Sequence, residues 1–360
     1  MKTGRSLQQI AAELDRQTKT RKDYLAPTDR LTMTPEPDGA PEGMRLAGLN
    51  GDSLGIRAFA HGQIAQDVGI PKPYYDRCLT QSRESRTLLA GQVNHWWRAT
   101  PQRRLVRTLD GAARAVLSDR YRPLDNVDLA QTALPVLVEK GCSIVSAELT
   151  DTRLYIKAIL TSMELEVHGS RQRGDVVQAG IVLSNSEVGS GAVWVEPLIY
   201  RLVCLNGMTA ADSSLRKHHI GRGHDVDDIR EMLADETRRV DDAAFWLKVR
   251  DVVRASFDEE GFRLIVERAS RATDIRIEST RLDGVIELTT ERLSLPKALN
   301  GSVLQHLIEG GDLSQWGLVN AVTRASQDVE DYDMATQMER AGGRILELAP
   351  TDWKRIAEAA

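Results

Sequence analysis

The stretch GIVLSNSEVGSGAVWVEPLIYRLVCLNG, residues 180–207, sets two strand-like runs on either side of a short polar connection. Residues 180–183 and 193–195, the latter continuing through 198–204, are β-branched, aromatic and apolar, the composition that packs on a pleated surface. Between them Ser184, Asn185, Ser186 and Glu187, then Gly189, Ser190 and Gly191, are too polar and too glycine-rich to continue either run. Glycine has no Cβ, so the connection reads either as a flexible hairpin tip or as a loop whose backbone N–H groups can approach a ligand.

Outward from that hairpin the signals alternate. A helix is predicted from Tyr74 to Ser82. Strand-like runs follow at RTLLAGQVNHWW (86–97) and RLVRTLDGAARAVL (104–117), then a helix from Asn126 to Glu139, then strands at SIVSAELT (143–150) and RLYIKAIL (153–160). The helix opens on Asp125 and Asn126 as cap residues and stops at Gly141. Short turn-rich links such as Leu109-Asp110-Gly111 favour antiparallel hairpins over parallel crossover units. The expected fold is α+β: an antiparallel meander with a packed helix, in β-hairpin, helix, β-hairpin order, followed by a mainly helical C-terminal region.

Three regions are expected on this basis: an N-terminal helix and linker over 1–72, an α+β core over 73–224 that carries the binding surface, and a helical region over 225–360. The connector LTMTPEPDGAPEG (31–43) reads as loop or linker. In the last region FWLKVRDVVRASFDEEGFRLIVERASRA (245–272) has helical periodicity, and a break falls near Leu295-Pro296.

Composition bounds the class. With 360 residues, 41% hydrophobic and 28% charged, the chain can bury a sizeable core without disulfides. Cys78, Cys142 and Cys204 are too widely spaced for a metal knuckle or a disulfide framework. The first residues carry charge and helical spacing (Leu7, Ile10, Leu14) but no continuous apolar run, so neither a signal peptide nor a membrane anchor is read there and a cytoplasmic setting is expected. The net charge of −5 conceals a segregation. Arg98, Arg103, Arg104, Arg107, Arg114, Arg120 and Arg122 face only Asp110 and Asp119 in the same tract, whereas residues 225–242 are strongly acidic. The first tract is a candidate polyanion contact, and the two tracts together are a candidate pair for self-association.

Motifs that would name an enzyme are missing: no GxxxxGK[ST], no GxGxxG opening a helix, no HExxH and no CxxC. No cofactor and no metal are expected. His218, His219 and His224 sit among Arg216, Lys217 and Arg222, which would repel a cation. Two other classes remain open: a metal-dependent nuclease using Glu187 or the acidic 225–242 run, and a regulator using the helix–turn–helix rhythm of IAQDVGIPKPYYDRCL (64–79). The cluster His95, Trp96, Trp97, Arg98 mixes stacking surfaces with guanidinium groups, the combination of single-strand grooves. Read as a strand, it places Trp96 and Trp97 on opposite faces.

The motifs Leu183-Ser-Asn-Ser-Glu-Val-Gly189, Tyr200-Arg201-Leu-Val-Cys204 and Asn206-Gly207-Met208 resemble the phage/plasmid-like protein family, whose central domain is of unknown function. Further matches are Ala60, Gly69-Ile70-Pro71, Tyr75, Trp316 and residues 320–323, so the likeness spans about residues 55–330. The order of hairpin, helix and extended sheet is also similar to the core of single-strand annealing proteins of the RecT/Red-beta and Rad-type group. That resemblance implies a mobile-element recombination protein that binds single-stranded DNA and anneals complementary strands without ATP, as a ring or filament. It also implies annealed duplex as product, and a host single-strand-binding protein or phage exonuclease as partner. Under it the expected DNA groove is lined by Arg98, Arg103, Arg104, Arg107, Arg114, Arg122, Trp96, Trp97, Ser184, Asn185, Ser186, Gly189, Gly191, Arg201, Asn206, Arg216, Lys217 and His218.

Overall fold

The computed structural model describes residues 1–37, 43–209 and 235–359. Strands β9 (Val176–Asn185) and β10 (Trp194–Arg201) pair antiparallel, with Trp194 opposite Ser184 and Arg201 opposite Val177, so the opening stretch is a hairpin. They lie inside a five-stranded antiparallel sheet of order β11-β10-β9-β8-β7, with β7 at Ser143–Leu149, β8 at Leu154–Glu166 and β11 at Asn206–Thr209. Strand β9 is apolar almost throughout because both its faces are covered. Ile181 and Leu183 pack with Ile156, Ala158 and Val195 against Ile10 and Leu14 of α1 (Leu7–Thr20), against α5 (Asn126–Glu139), and against Phe245, Val249 and Val253 of α6 (Asp235–Ala255). On the opposite face Tyr155, Ile159, Val182 and Leu198 meet Tyr332.

A second sheet has six strands in the order β1-β5-β6-β4-β3-β2. Its centre is the hairpin of β5 (Arg103–Leu109) and β6 (Ala112–Ser118). The turn residues Asp110 and Gly111 have φ of 53° and 76°, the two positive values that an Asp-Gly hairpin turn supplies at least cost. Strands β1 (Lys22–Pro27), β2 (Thr32–Pro35), β3 (Met44–Leu49) and β4 (Asp52–Ile56) complete it, and β4 runs parallel to β6.

Two expectations fail here. Residues 31–43 are not simply linker, because β2 lies there, in a sheet whose strands come from both sides of residue 72. Pro35 and Pro37 obscured the alternation of Leu31 and Met33, which are buried together with Met44 and Leu46. Residues 86–97 are helix, not strand: they belong to α4 (Arg83–Ala99), which Ser82 caps by accepting from the Ser85 amide at 3.2 Å. Leu89, Val93 and Trp97, spaced by four, form its buried stripe. With α2 (Ala58–Asp67) and α3 (Lys72–Gln81), this helix covers the six-stranded sheet through Ile64, Tyr75 and Trp97. Each such fully buried apolar side chain contributes about 1.5–3 kcal/mol.

After α6 the chain is helical: α7 (Glu259–Ala272), α8 (Leu282–Arg292), α9 (Asn300–Gly310), α10 (Gln315–Ala325), α11 (Tyr332–Leu346) and α12 (Pro350–Ala359). Pro296 caps a single 3₁₀ turn, Lys297–Leu299, between α8 and α9, where the break was expected. These helices enclose a core with Val177, Ala179, Ile199 and Met208 of the five-stranded sheet. Lys157 of β8 and Glu339 of α11, both fully buried, form an ion pair at 2.6 Å that fixes α11 on the sheet. The fold is therefore α+β with a helical C-terminal region. Among the described residues no helix is long and apolar enough to cross a membrane.

Candidate functional site

The serine-rich first half of the connection is folded inward, whereas Gly189 and Gly191 are exposed. Ser184, Asn185 and Ser186 are buried. The Asn185 amide donates to the Leu124 carbonyl at 2.8 Å and to Asn126 Oδ1 at 2.9 Å, and Ser186 Oγ accepts from the Ser190 amide at 2.9 Å. Glu187 Oε1 accepts from the Asn126 amide at 2.6 Å, at the start of α5, while Oε2 pairs with Arg114 at 2.7 Å. The carboxylate proposed for metal chemistry thus holds a helix N-terminus and a guanidinium. A Cβ at Gly189 (φ 80°) would stand 2.6 Å from Leu117 Cδ2, and one at Gly191 would collide with the Arg153 guanidinium. The small residues make room for the protein's own side chains, while Gly189 and Gly191 stay at the surface.

Part of the arginine tract is likewise committed within the chain: Arg107 and Arg114 are buried and Arg104 and Arg122 half-buried. Arg107, 1% exposed, donates to Asp23 at 3.0 Å, to Asp125 at 2.8 Å and to the Glu187 carbonyl at 3.0 Å. Burial by itself would lower its pKa, but Asp125 and Asp23 outweigh that and hold it above the ordinary arginine value. Arg104 pairs with Asp67 at 2.8 Å through Nε. Arg122 donates to Asp242 at 2.8 Å and lies 4.9 Å over the Phe245 ring. Arg201 donates to Asp175 at 2.9 Å, and Trp316 Nε1 donates to the same carboxylate at 3.1 Å. Asn206 is buried and donates to Thr323 Oγ1 at 2.6 Å. Trp97 is buried with Nε1 on Asp67 at 3.1 Å. Each of these guanidinium groups is paired with a carboxylate, as a cation withdrawn from water must be. Arg122 thus pairs within the chain with Asp242, the last residue of the acidic tract. Arg216, Lys217 and His218 lie outside the described residues.

Besides Gly189 and Gly191, three of the expected residues face solvent. Trp96 is 47% exposed near the end of α4, and Arg98 and Arg103 are exposed on either side of the turn into β5. Arg30, in the 3₁₀ turn Thr28–Arg30, joins this end of the molecule: the Thr28 amide donates to the Gln102 carbonyl, and Thr28 Oγ1 donates to the Trp97 carbonyl at 3.1 Å. Among the described residues no carboxylate pairs with Arg30, Arg98 or Arg103. On α3, in the regulator segment, Lys72 is paired with Asp76, and Arg77 lies 5.5 Å over the Tyr74 ring.

At the other end of β5, a polar cavity of about 120 Å³ opens between the two sheets. Arg5, Arg16, Arg57, Arg114 and Arg153 line it together with Glu13, Asp110, Asp151 and Glu187. Arg16 reaches from α1 to Asp110 at the hairpin tip at 2.6 Å, and Arg57 approaches the same carboxylate at 3.6 Å. The Arg16 hydrogen bond holds Asp110 below the usual aspartate range and helps bring Glu13 down to about 2. Only Asp110, Arg114 and Glu187 of this set stood out in the sequence. Arg5, Arg16, Arg57 and Arg153 come from four separate segments, and nothing in their local pattern announces that they converge.

Residues 113–340 match the model of a family described as Domain of unknown function (DUF932). The chain belongs to the DUF932 family. That match includes both the cavity arginines Arg114 and Arg153 and the connection, whereas Trp96, Arg98 and Arg103 of this DUF932 protein lie before it. No curated protein and no solved structure matches the chain.

Proposed function

We propose that this DUF932 protein is a phage- or plasmid-borne recombination protein that binds single-stranded DNA and anneals complementary strands without ATP, as a ring or filament of many copies. The observation that carries it is the exposed Trp96 beside Arg98 and Arg103, neither of which is held by a carboxylate. An open indole offers a stacking face to any base, and uncommitted guanidinium groups take successive phosphates, which together suit a strand of arbitrary sequence. Support also comes from the chain order of hairpin β5–β6, helix α5 and meander β7–β9, the order of the annealing proteins the sequence resembles. A host single-strand-binding protein or a phage exonuclease would then hand over or receive the strand.

The test is fluorescence-anisotropy binding of a labelled single strand across a salt series, with annealing of its complement followed in EDTA and without nucleotide. Salt-sensitive binding with little base preference, and accelerated annealing, are expected. Light scattering with and without the strand reads the assembly. Binding limited to one duplex site, or cleavage on adding Mg²⁺, would replace this function with the regulator or the nuclease.

A further inference from the structure

The cavity between the sheets holds buried hydrogen-bond donors that the protein itself does not use. Arg114 is only 5% exposed, and its Nη1 pairs with Glu187, yet its Nε and Nη2 have no partner; neither does the buried Nη1 of Arg153. Nε and Nη2 are the two parallel N–H groups on one edge of the guanidinium fork, the edge that grips two oxygens of a carboxylate or phosphate at once. Three of the four carboxylates lining the cavity are already engaged, and the fourth, Asp151, is exposed. Asp110 and Glu13 are taken by Arg16, and Glu187 by Arg114 and the Asn126 amide. Leaving charged donors buried and unsatisfied costs more than an ordinary lost hydrogen bond, so such groups call for a partner from outside the chain, a water or an ion. The volume is several times what a single water needs, enough for one tetrahedral oxyanion.

We infer that this cavity seats a phosphoryl group, gripped by the Nε/Nη2 edge of Arg114 and by Nη1 of Arg153. It lies roughly 20 Å along β5 from Arg103, at about 3.3 Å per residue, and is therefore a second site, independent of the annealing function proposed above. The phosphoryl group comes either from a free phosphate ion or from a nucleic-acid strand, and the chemistry of the seat is the same for both.

Calorimetric titration of the full chain with inorganic phosphate, at constant ionic strength and without DNA, tests it. Saturable 1:1 binding is expected. Arg153→Gln should weaken it by about tenfold, the loss of one charge-assisted hydrogen bond. Arg114→Lys, which keeps a positive charge for Glu187 but loses the fork, should weaken it further. Competition assigns the source. Displacement of phosphate by a 5′-phosphorylated oligonucleotide but not by its 5′-hydroxyl twin identifies a strand end, equal displacement by both identifies backbone phosphates, and no displacement identifies the free ion; each of these presupposes an occupied seat. Absence of saturable phosphate binding to the wild-type chain overturns the inference, as does unchanged affinity in folded Arg153→Gln, and neither result depends on whether the protein anneals DNA.

Discussion

The two ends of strand β5 carry the same residue type to opposite purposes. Arg103, at its start, is exposed and has no carboxylate, while Arg107, four residues on, is 1% exposed and shared between Asp23 and Asp125. A tract that looks uniformly basic in the sequence is thus divided by the sheet into one part that holds the protein together and one part left for a partner. Charge count alone does not distinguish them; the partner's location does.

The sharpest way to break that contrast is to treat both ends alike. Arg107→Ala should destabilise the fold by about 3–5 kcal/mol, because two carboxylates lose the cation between them. Arg103→Ala should change stability by no more than about 0.5 kcal/mol. Chemical denaturation of the two variants measures the difference, and equal midpoints would erase it. Next in size is Gly189→Val, for which strain at φ 80° and the contact with Leu117 should cost about 1–3 kcal/mol of stability. If it instead lowers DNA affinity in a protein as stable as wild type, the connection faces DNA after all.

On the solvent side, Trp96→Ala should cost about 1–3 kcal/mol of single-strand binding, the usual worth of one stacked base, with an unchanged melting temperature. Removing Arg98 and Arg103 together should flatten the log–log salt dependence by about 0.7 per lost contact. The smallest effect expected is at the hairpin tip. Asp110 has its folded pKa lowered by Arg16, so its contribution is present above the ordinary aspartate value of 3.8 and is lost as pH falls through the lowered folded value. Comparing wild type with Asp110→Asn, which keeps the positive-φ turn, over an acid series should therefore show a stability gap near neutrality that closes in acid.

Much of the architecture was legible because it is written locally. Asp110-Gly111 announces its turn, Asp125 and Gly141 bracket α5, and the 3.6-residue period marks the C-terminal helices. Helix α4 was misread because Leu88, Leu89, Val93 and the paired tryptophans look strand-like over a short window, and only the Ser82 cap and the spacing of the buried stripe reveal a helix. The fate of the arginines was not legible, since it depends on distant partners. Arg107 finds Asp23 across 84 residues, and Arg114 finds Glu187 across a helix and three strands. The cavity was hidden for the same reason, as four of its five arginines become neighbours only when the sheets close.

The parallel pairing of β4 with β6 has a further consequence. The family match begins at Ala113, the second residue of β6, so it retains one strand of the six-stranded sheet while both strands hydrogen-bonded to it, β4 and β5, lie outside. A polypeptide trimmed to residues 113–340 would therefore present β6 with two bare edges, and would also lack Ile10 and Leu14 from beneath the five-stranded sheet. Naked strand edges recruit other chains. The stretch that the family match recognises is consequently smaller than the sheet it belongs to, and recombinant fragments cut at the boundaries of the match should aggregate more readily than the whole chain.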